Sequence, residues 1–99
     1  MVGYLEESIA VPAVYSLSTA YPNPFNPVTT LSFAIPIDSE VSLSVYNLQG
    51  REVSTLIDAN MDAGYHSVVW DANSYASGVY FVKMVAGEFV NTQKLMLVK

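Results

Sequence analysis

The sequence contains no cysteine, which excludes disulfide staples, thiolate metal sites and a cysteine nucleophile. Any fold has to stand on packing. Basic residues are also scarce: four Lys and Arg stand against nine Asp and Glu, for a net charge of −5. At most four side chains can neutralise phosphates, so no nucleic-acid partner is expected. Long apolar runs are missing as well. None exceeds four residues, as in Leu95 to Val98, against the roughly 18 to 20 that a membrane-crossing helix needs. The N-terminus lacks the basic-then-apolar layout of a signal peptide. The five glycines are isolated and sit at turn-like positions, so no phosphate-cradling loop is spelled out and no cofactor is expected.

Apolar residues are plentiful, at 52% of the 99 residues against 13% charged. That content suffices for a single buried core, and the length suits one domain. Residues 1–13 show no clear period, carry Glu6 and Glu7, and include Pro12. They read as a leader or linker, with Met1-Val2-Gly3 as an initiation scar on a domain expected to come from a longer protein. The stretch from about Glu6 to Pro12 is expected to pack poorly and to be open to proteolysis.

From residue 14 onward the period is two. Val14 to Ser18 suits a short edge strand. Tyr21-Pro22-Asn23-Pro24-Phe25-Asn26-Pro27 carries three prolines in six residues; fixed φ angles and missing N–H donors make it extended and turned, and bar it from the centre of a sheet. Leu31, Phe33 and Ile35 share one face of the next strand, which Pro36 ends. Val41, Leu43 and Val45 mark another, closed by Asn47-Leu48-Gln49-Gly50, and Glu52 to Ile57 returns as its hairpin partner. A polar loop is expected over Asp58 to Ala63. His66, Val68 and Trp70 then alternate with Tyr65, Ser67 and Val69. Val79 to Val85 and Glu88 to Val98 form a hairpin about Ala86-Gly87. No window has helical spacing. Seven strands with turn signals about every ten residues predict an all-β, seven-stranded antiparallel sandwich of the immunoglobulin or fibronectin type. Leu31, Phe33, Val41 or Leu43, Trp70, Tyr80 and Leu97 are expected in one core.

Each candidate for chemistry has a plainer explanation. His66 is the only histidine, and Ser67 and Asp71, the nearest partners for a catalytic triad, point to the opposite face of the same strand. His66 therefore reads as a packed, hydrogen-bonded residue, and no catalytic residue is assigned. Asp58, Asn60 and Asp62 occupy the first, third and fifth places of a calcium loop. The sixth place holds Ala63 where glycine is needed and the twelfth holds Val69 where glutamate is needed, so the segment reads as a solvated turn and no metal is assigned. Arg51 and Glu52 are an exposed pair of little consequence. Tyr21, Phe25, Tyr46, Tyr65, Tyr75 and Phe81 offer a sugar platform on paper, but core and turn packing account for most of them. No small-molecule substrate is expected; recognition or spacing remains.

Four blocks in order carry a resemblance: the Tyr21 to Pro27 segment, the hairpin from Val45 to Val53, Ala63-Gly64-Tyr65-His66-Ser67-Val68-Val69-Trp70-Asp71, and Ala76-Ser77-Gly78-Val79-Tyr80-Phe81-Val82-Lys83-Met84. With the closing Lys94-Leu95-Met96-Leu97-Val98-Lys99, residues 14–99 resemble the type A C-terminal sorting domain of type IX secretion. The family often has proline and leucine where this chain has Ala76 and Tyr75.

The resemblance implies a non-catalytic address on a larger cargo. Its partners would be the outer-membrane type IX translocon and a sortase-like peptidase that cleaves before the first strand, and the cargo would be secreted or held at the cell surface. Carried over by position, the recognition residues would be Gly78, Tyr80, Lys83, Lys94 and Lys99. The sequence also resembles the immunoglobulin-like domain of flagellar hook-capping proteins, which keeps open a structural spacer, an adhesive module or a sugar-binding sandwich.

The strand period adds a surface. If Tyr80, Val82 and Met84 face the core, Val79, Phe81, Met96 and Val98 form an outward apolar patch rimmed by lysine. A translocon or a second copy, giving a homodimer, would cover it.

Overall fold

A computed structural model describes residues 11–99. Seven strands follow in order: β1 (Ser16–Leu17), β2 (Val28–Ile35), β3 (Ser39–Tyr46), β4 (Glu52–Met61), β5 (Gly64–Asp71), β6 (Gly78–Ala86) and β7 (Phe89–Leu97). All pairings are antiparallel, in a three-stranded sheet ordered β1-β2-β5 and a four-stranded sheet ordered β4-β3-β6-β7. Among the described residues there is no helix.

The alternation read from the sequence places the core. Leu31, Phe33 and Ile35 of β2 meet Val41, Leu43 and Val45 of β3, Tyr80, Val82 and Met84 of β6, and Leu95 and Leu97 of β7 in one cluster, with Trp70 entering from β5. Every expected core residue is buried there. The β3–β4 hairpin turns as its sequence indicates. Gly50 adopts φ +81°, and the Asn47 side-chain oxygen accepts hydrogen bonds from the N–H groups of Gln49 and Arg51, each at 3.0 Å. That is the asparagine-led turn chemistry the motif encodes.

Two local expectations need correction. The first strand is only Ser16–Leu17, shorter than the Val14 to Ser18 expected from alternation. The polar segment Asp58 to Met61 is not a loop but the second half of β4, paired to β3 from Ser42↔Asp58 to Ser39↔Met61. Polar residues are tolerated there because β4 is an edge whose Asp58, Ala59 and Asn60 face solvent, while the backbone groups that face β3 are paired by it whatever the side chains prefer. Only Asp62 and Ala63 separate β4 from β5. The calcium-loop spacing therefore has no loop to act through, and among the described residues no group of His, Asp and Glu could hold a metal ion.

β4 also breaks the two-residue period. Its register with β3 shifts between Leu43 and Ser44 and again between Val45 and Tyr46. Each bulge inserts an unpaired residue and turns the strand, and so the neighbours Leu56 and Ile57 both pack against the core.

The proline segment does something its composition does not announce. It runs beside the outer edge of β7 and pairs with it through one parallel bridge, Phe25↔Leu97. Phe25 N–H donates to the Met96 carbonyl at 3.0 Å and the Phe25 carbonyl accepts from Val98 N–H at 2.9 Å. Asn23 extends the pairing with its side chain: its amide nitrogen donates to the Lys94 carbonyl at 2.9 Å and its oxygen accepts from Met96 N–H at 3.0 Å. A side-chain amide thus stands in for a peptide group, and the flanking prolines offer no N–H of their own with which to build a further strand. Phe25, buried, closes this corner of the core against Trp70 at a centroid distance of 5.6 Å.

The expected leader falls mostly outside the described residues, which begin at position 11. Of residues 11–13, Val11 and Ala13 are exposed and Pro12 is buried.

Candidate recognition surface

The outer face of the four-stranded sheet follows from register. On it Val79 lies opposite Met96, Phe81 opposite Lys94, and Lys83 opposite Thr92 across β6 and β7. On the other side of β6, Phe81 faces Tyr46 and Lys83 faces Ser44 of β3. Val79 and Phe81 are half-buried, Met96 and Val98 exposed. The register places Val79, Phe81 and Met96 on one face, and Tyr46 extends it across β3. Lys83 and Lys94, both exposed, lie on the diagonal of adjacent strands and flank Phe81. Two of the four basic side chains of an acidic chain thus share this face. The arrangement can hold an apolar segment while two ammonium groups meet its carboxylates or phosphates.

Gly78, Tyr80 and Lys99 gather elsewhere, around the residues that join β5 to β6. Gly78 opens β6 at φ +153°, a conformation that L side chains rarely adopt, with open space where a Cβ would stand. Its glycine is required by backbone angle, not by crowding. Tyr80 is buried, edge-on to Trp70 at 5.5 Å, and its hydroxyl donates to the Ala76 carbonyl at 2.6 Å. Its ring faces the core, so a partner at this end meets the strand's backbone and outer face instead. The Lys99 ammonium donates to the carbonyls of Asn73 at 2.6 Å and Tyr75 at 2.8 Å, while its backbone N–H donates to Ser77 Oγ at 3.0 Å. The last residue of the chain thereby ties down the loop before Gly78. The five residues carried over from the resemblance fall into two groups: Lys83 and Lys94 on the sheet face, and Gly78, Tyr80 and Lys99 at the end of β6.

The remaining candidates resolve into structural roles. His66 stacks on Phe33 at 5.3 Å, and its Nε2 is 2.8 Å from the Asp62 carbonyl oxygen, which fixes the tight β4–β5 turn. Of the aromatics considered for sugar binding, Tyr46 and Phe81 are neighbours on the outer sheet face, and the other four are dispersed. Phe25 is in the core, Tyr75 packs on Trp70 and Tyr80 and donates its hydroxyl to the Val53 carbonyl, and Tyr21 and Tyr65 stand exposed at separate places. Glu52 accepts a hydrogen bond from the Thr55 hydroxyl and Arg51 donates its backbone N–H to Asn47.

The sequence reading missed the edge-capping role of Asn23, and it named Tyr46 only as a sugar-platform aromatic, not beside Phe81 on the outer sheet face. The signal for Asn23 was present in Pro22-Asn23-Pro24, since an asparagine between two residues that cannot donate is the natural provider of both a donor and an acceptor.

Compared with known families, residues 19–99 match the model of the secretion system C-terminal sorting domain. No curated protein and no solved structure matches the chain.

Proposed function

The chain belongs to the secretion system C-terminal sorting domain family, and from that premise we propose that it is a non-catalytic address by which the type IX machinery exports a larger cargo across the outer membrane. The observation that carries this reading is the family match over residues 19–99. The cargo is released or held at the cell surface after a sortase-like peptidase cuts ahead of β1, within about residues 6–12. The translocon reads the folded domain on the outer face of the four-stranded sheet, with Val79, Phe81, Met96 and Val98 as apolar contacts and Lys83 and Lys94 as charged ones. Gly78 and Lys99 set the end of β6 at which that face begins, and Tyr80 holds the same end from inside.

A fibronectin-like sandwich is the architecture this reading uses. It is supported by the strand order β1-β2-β5 against β4-β3-β6-β7, in which the fourth strand joins the sheet of the third, sixth and seventh. A constant-type immunoglobulin domain keeps its fourth strand in the opposite sheet.

The test is a reporter fused to the N-terminus of the 99-residue chain in a type IX secreting strain, with an inner-membrane signal supplied separately. The expected result is reporter outside the cell with the domain present and in the periplasm without it. Equal export of both forms would make the domain a spacer.

A further inference from the structure

The strand edges of this domain are unequally protected. The β7 edge is capped by Asn23 and Phe25 over Lys94 to Val98, and nearer its start Gln93 donates its side-chain amide to the Leu17 carbonyl at 3.0 Å. β4 is an edge with two bulges and the acidic residues Glu52 and Asp58. β1 is two residues long. These are the usual ways in which proteins stop a sheet from recruiting another strand. Among the described residues, β5 has none of them. Its eight residues pair with β2 without a register shift and close the sheet order on that side. Among them there is no proline or lysine, and the only acidic residue is the last, Asp71.

We infer that β5 pairs with β5 of a second copy, about a two-fold axis through Ser67 normal to the sheet. Such an axis keeps outward residues outward, so partners i and j must sum to an even number. Centred on Ser67, the register sets Tyr65 opposite Val69 of the other copy, twice, and Ser67 opposite Ser67. Tyr65 and Val69 are 69% and 56% exposed, and an aromatic opposite a β-branched residue is a favourable cross-strand pair. On the inner side half-buried His66 meets half-buried Val68. Moving the centre to Val68 sets Tyr65 against Asp71, and moving it to His66 sets Tyr65 against Ser67, so the self-complementary register is the one about Ser67.

Charge does not oppose a second copy in this register. A chain of net charge −5 repels itself, but in this register Asp71 falls opposite Ala63, beyond the end of the strand, and no two carboxylates meet. The product is a six-stranded sheet, β1-β2-β5 continued by its symmetry mate, with an isologous contact. It leaves the outer face of the four-stranded sheet uncovered, and it does not depend on the sorting reading.

The experiment is sedimentation of the purified 99-residue chain over a range of concentration. The expected mass rises from 10.8 kDa to twice that value, whereas Tyr65→Lys with Val69→Lys, which places lysines directly opposite each other at two positions, loses the dimer while keeping a β circular dichroism spectrum. A wild-type chain that stays monomeric at the highest soluble concentration overturns the inference, as does a folded double-lysine variant that still dimerises. If the double variant fails to fold, Ser67→Cys decides. In a chain with no other cysteine it should oxidise to a covalent dimer at least about tenfold faster than Asn60→Cys on the β4 edge, because pairing raises the local thiol concentration; equal rates overturn the inference.

Discussion

Trp70 shows how much of this domain depends on single side chains. It is buried, and three aromatic neighbours, Phe25, Tyr75 and Tyr80, surround it at centroid distances of 5.5 to 5.6 Å. Trp70→Ala removes the contact that joins β5, the proline segment and the loop before β6. A loss of about 3 to 5 kcal/mol is expected in urea unfolding, a large share of what so small a domain possesses. Lys99 is a different kind of residue: exposed, and engaged through its ammonium with two loop carbonyls. Lys99→Met keeps the aliphatic stem and removes the charge. Because hydrogen bonds on an exposed cation are screened by water, the unfolding midpoint should barely move while export of a fused reporter falls. A parallel loss of stability and export would assign Lys99 to the fold alone.

At the scale of elements, the proline segment and β7 form one unit. Asn23→Ala deletes both side-chain hydrogen bonds to the β7 edge and leaves Phe25 in place. The cost should be about 1 kcal/mol, since the released Lys94 carbonyl and Met96 N–H can turn to water. Hydrogen exchange supplies the sharper readout: Met96 N–H should exchange faster, whereas Val98 N–H, held by the Phe25 carbonyl, should change little. Periodicity made β2, β3, β5, β6 and β7 legible, because each has one buried and one wet face and a slip of one residue would invert them. It failed on β4. Two bulges set Leu56 and Ile57 side by side toward the core, and Asp58 and Asn60 look like a loop unless the pairing with β3 is known.

For the whole molecule, the outer face of the four-stranded sheet is the surface most exposed to a partner's choice. Val79 lies opposite Met96 and Phe81 opposite Lys94 on this face, and among the described residues none of the three apolar side chains belongs to the core cluster. Phe81→Ser with Met96→Ser should therefore leave the circular dichroism spectrum intact, with a stability loss of no more than about 2 kcal/mol, since neither side chain is fully buried. Export of a fused reporter should fall severalfold. An unfolded double variant would place this face in the core, and unimpaired export would move the recognition surface elsewhere. The dimer edge on β5 lies in the other sheet, and so the two sets of substitutions separate the two surfaces.

Absent cysteine, the excess of acid over base, the turn glycines and the alternation of Leu31, Phe33, Ile35, Val41, Leu43, Val45 and Trp70 are local properties. They suffice for an all-β domain with a known inside and outside, because strand period and turn chemistry act over a few residues. The family motif was also legible as a string. Its division was not: Tyr80 turns its ring into the core and Lys99 reaches back 24 to 26 residues to the loop carbonyls, while Lys83 and Lys94 become neighbours only through the β6–β7 register. Which edges are closed depends on the same long-range pairing. Asn23 meets Met96 across 73 positions, a separation at which no periodic signal survives, and among the described residues β5 has β2 as its one strand neighbour.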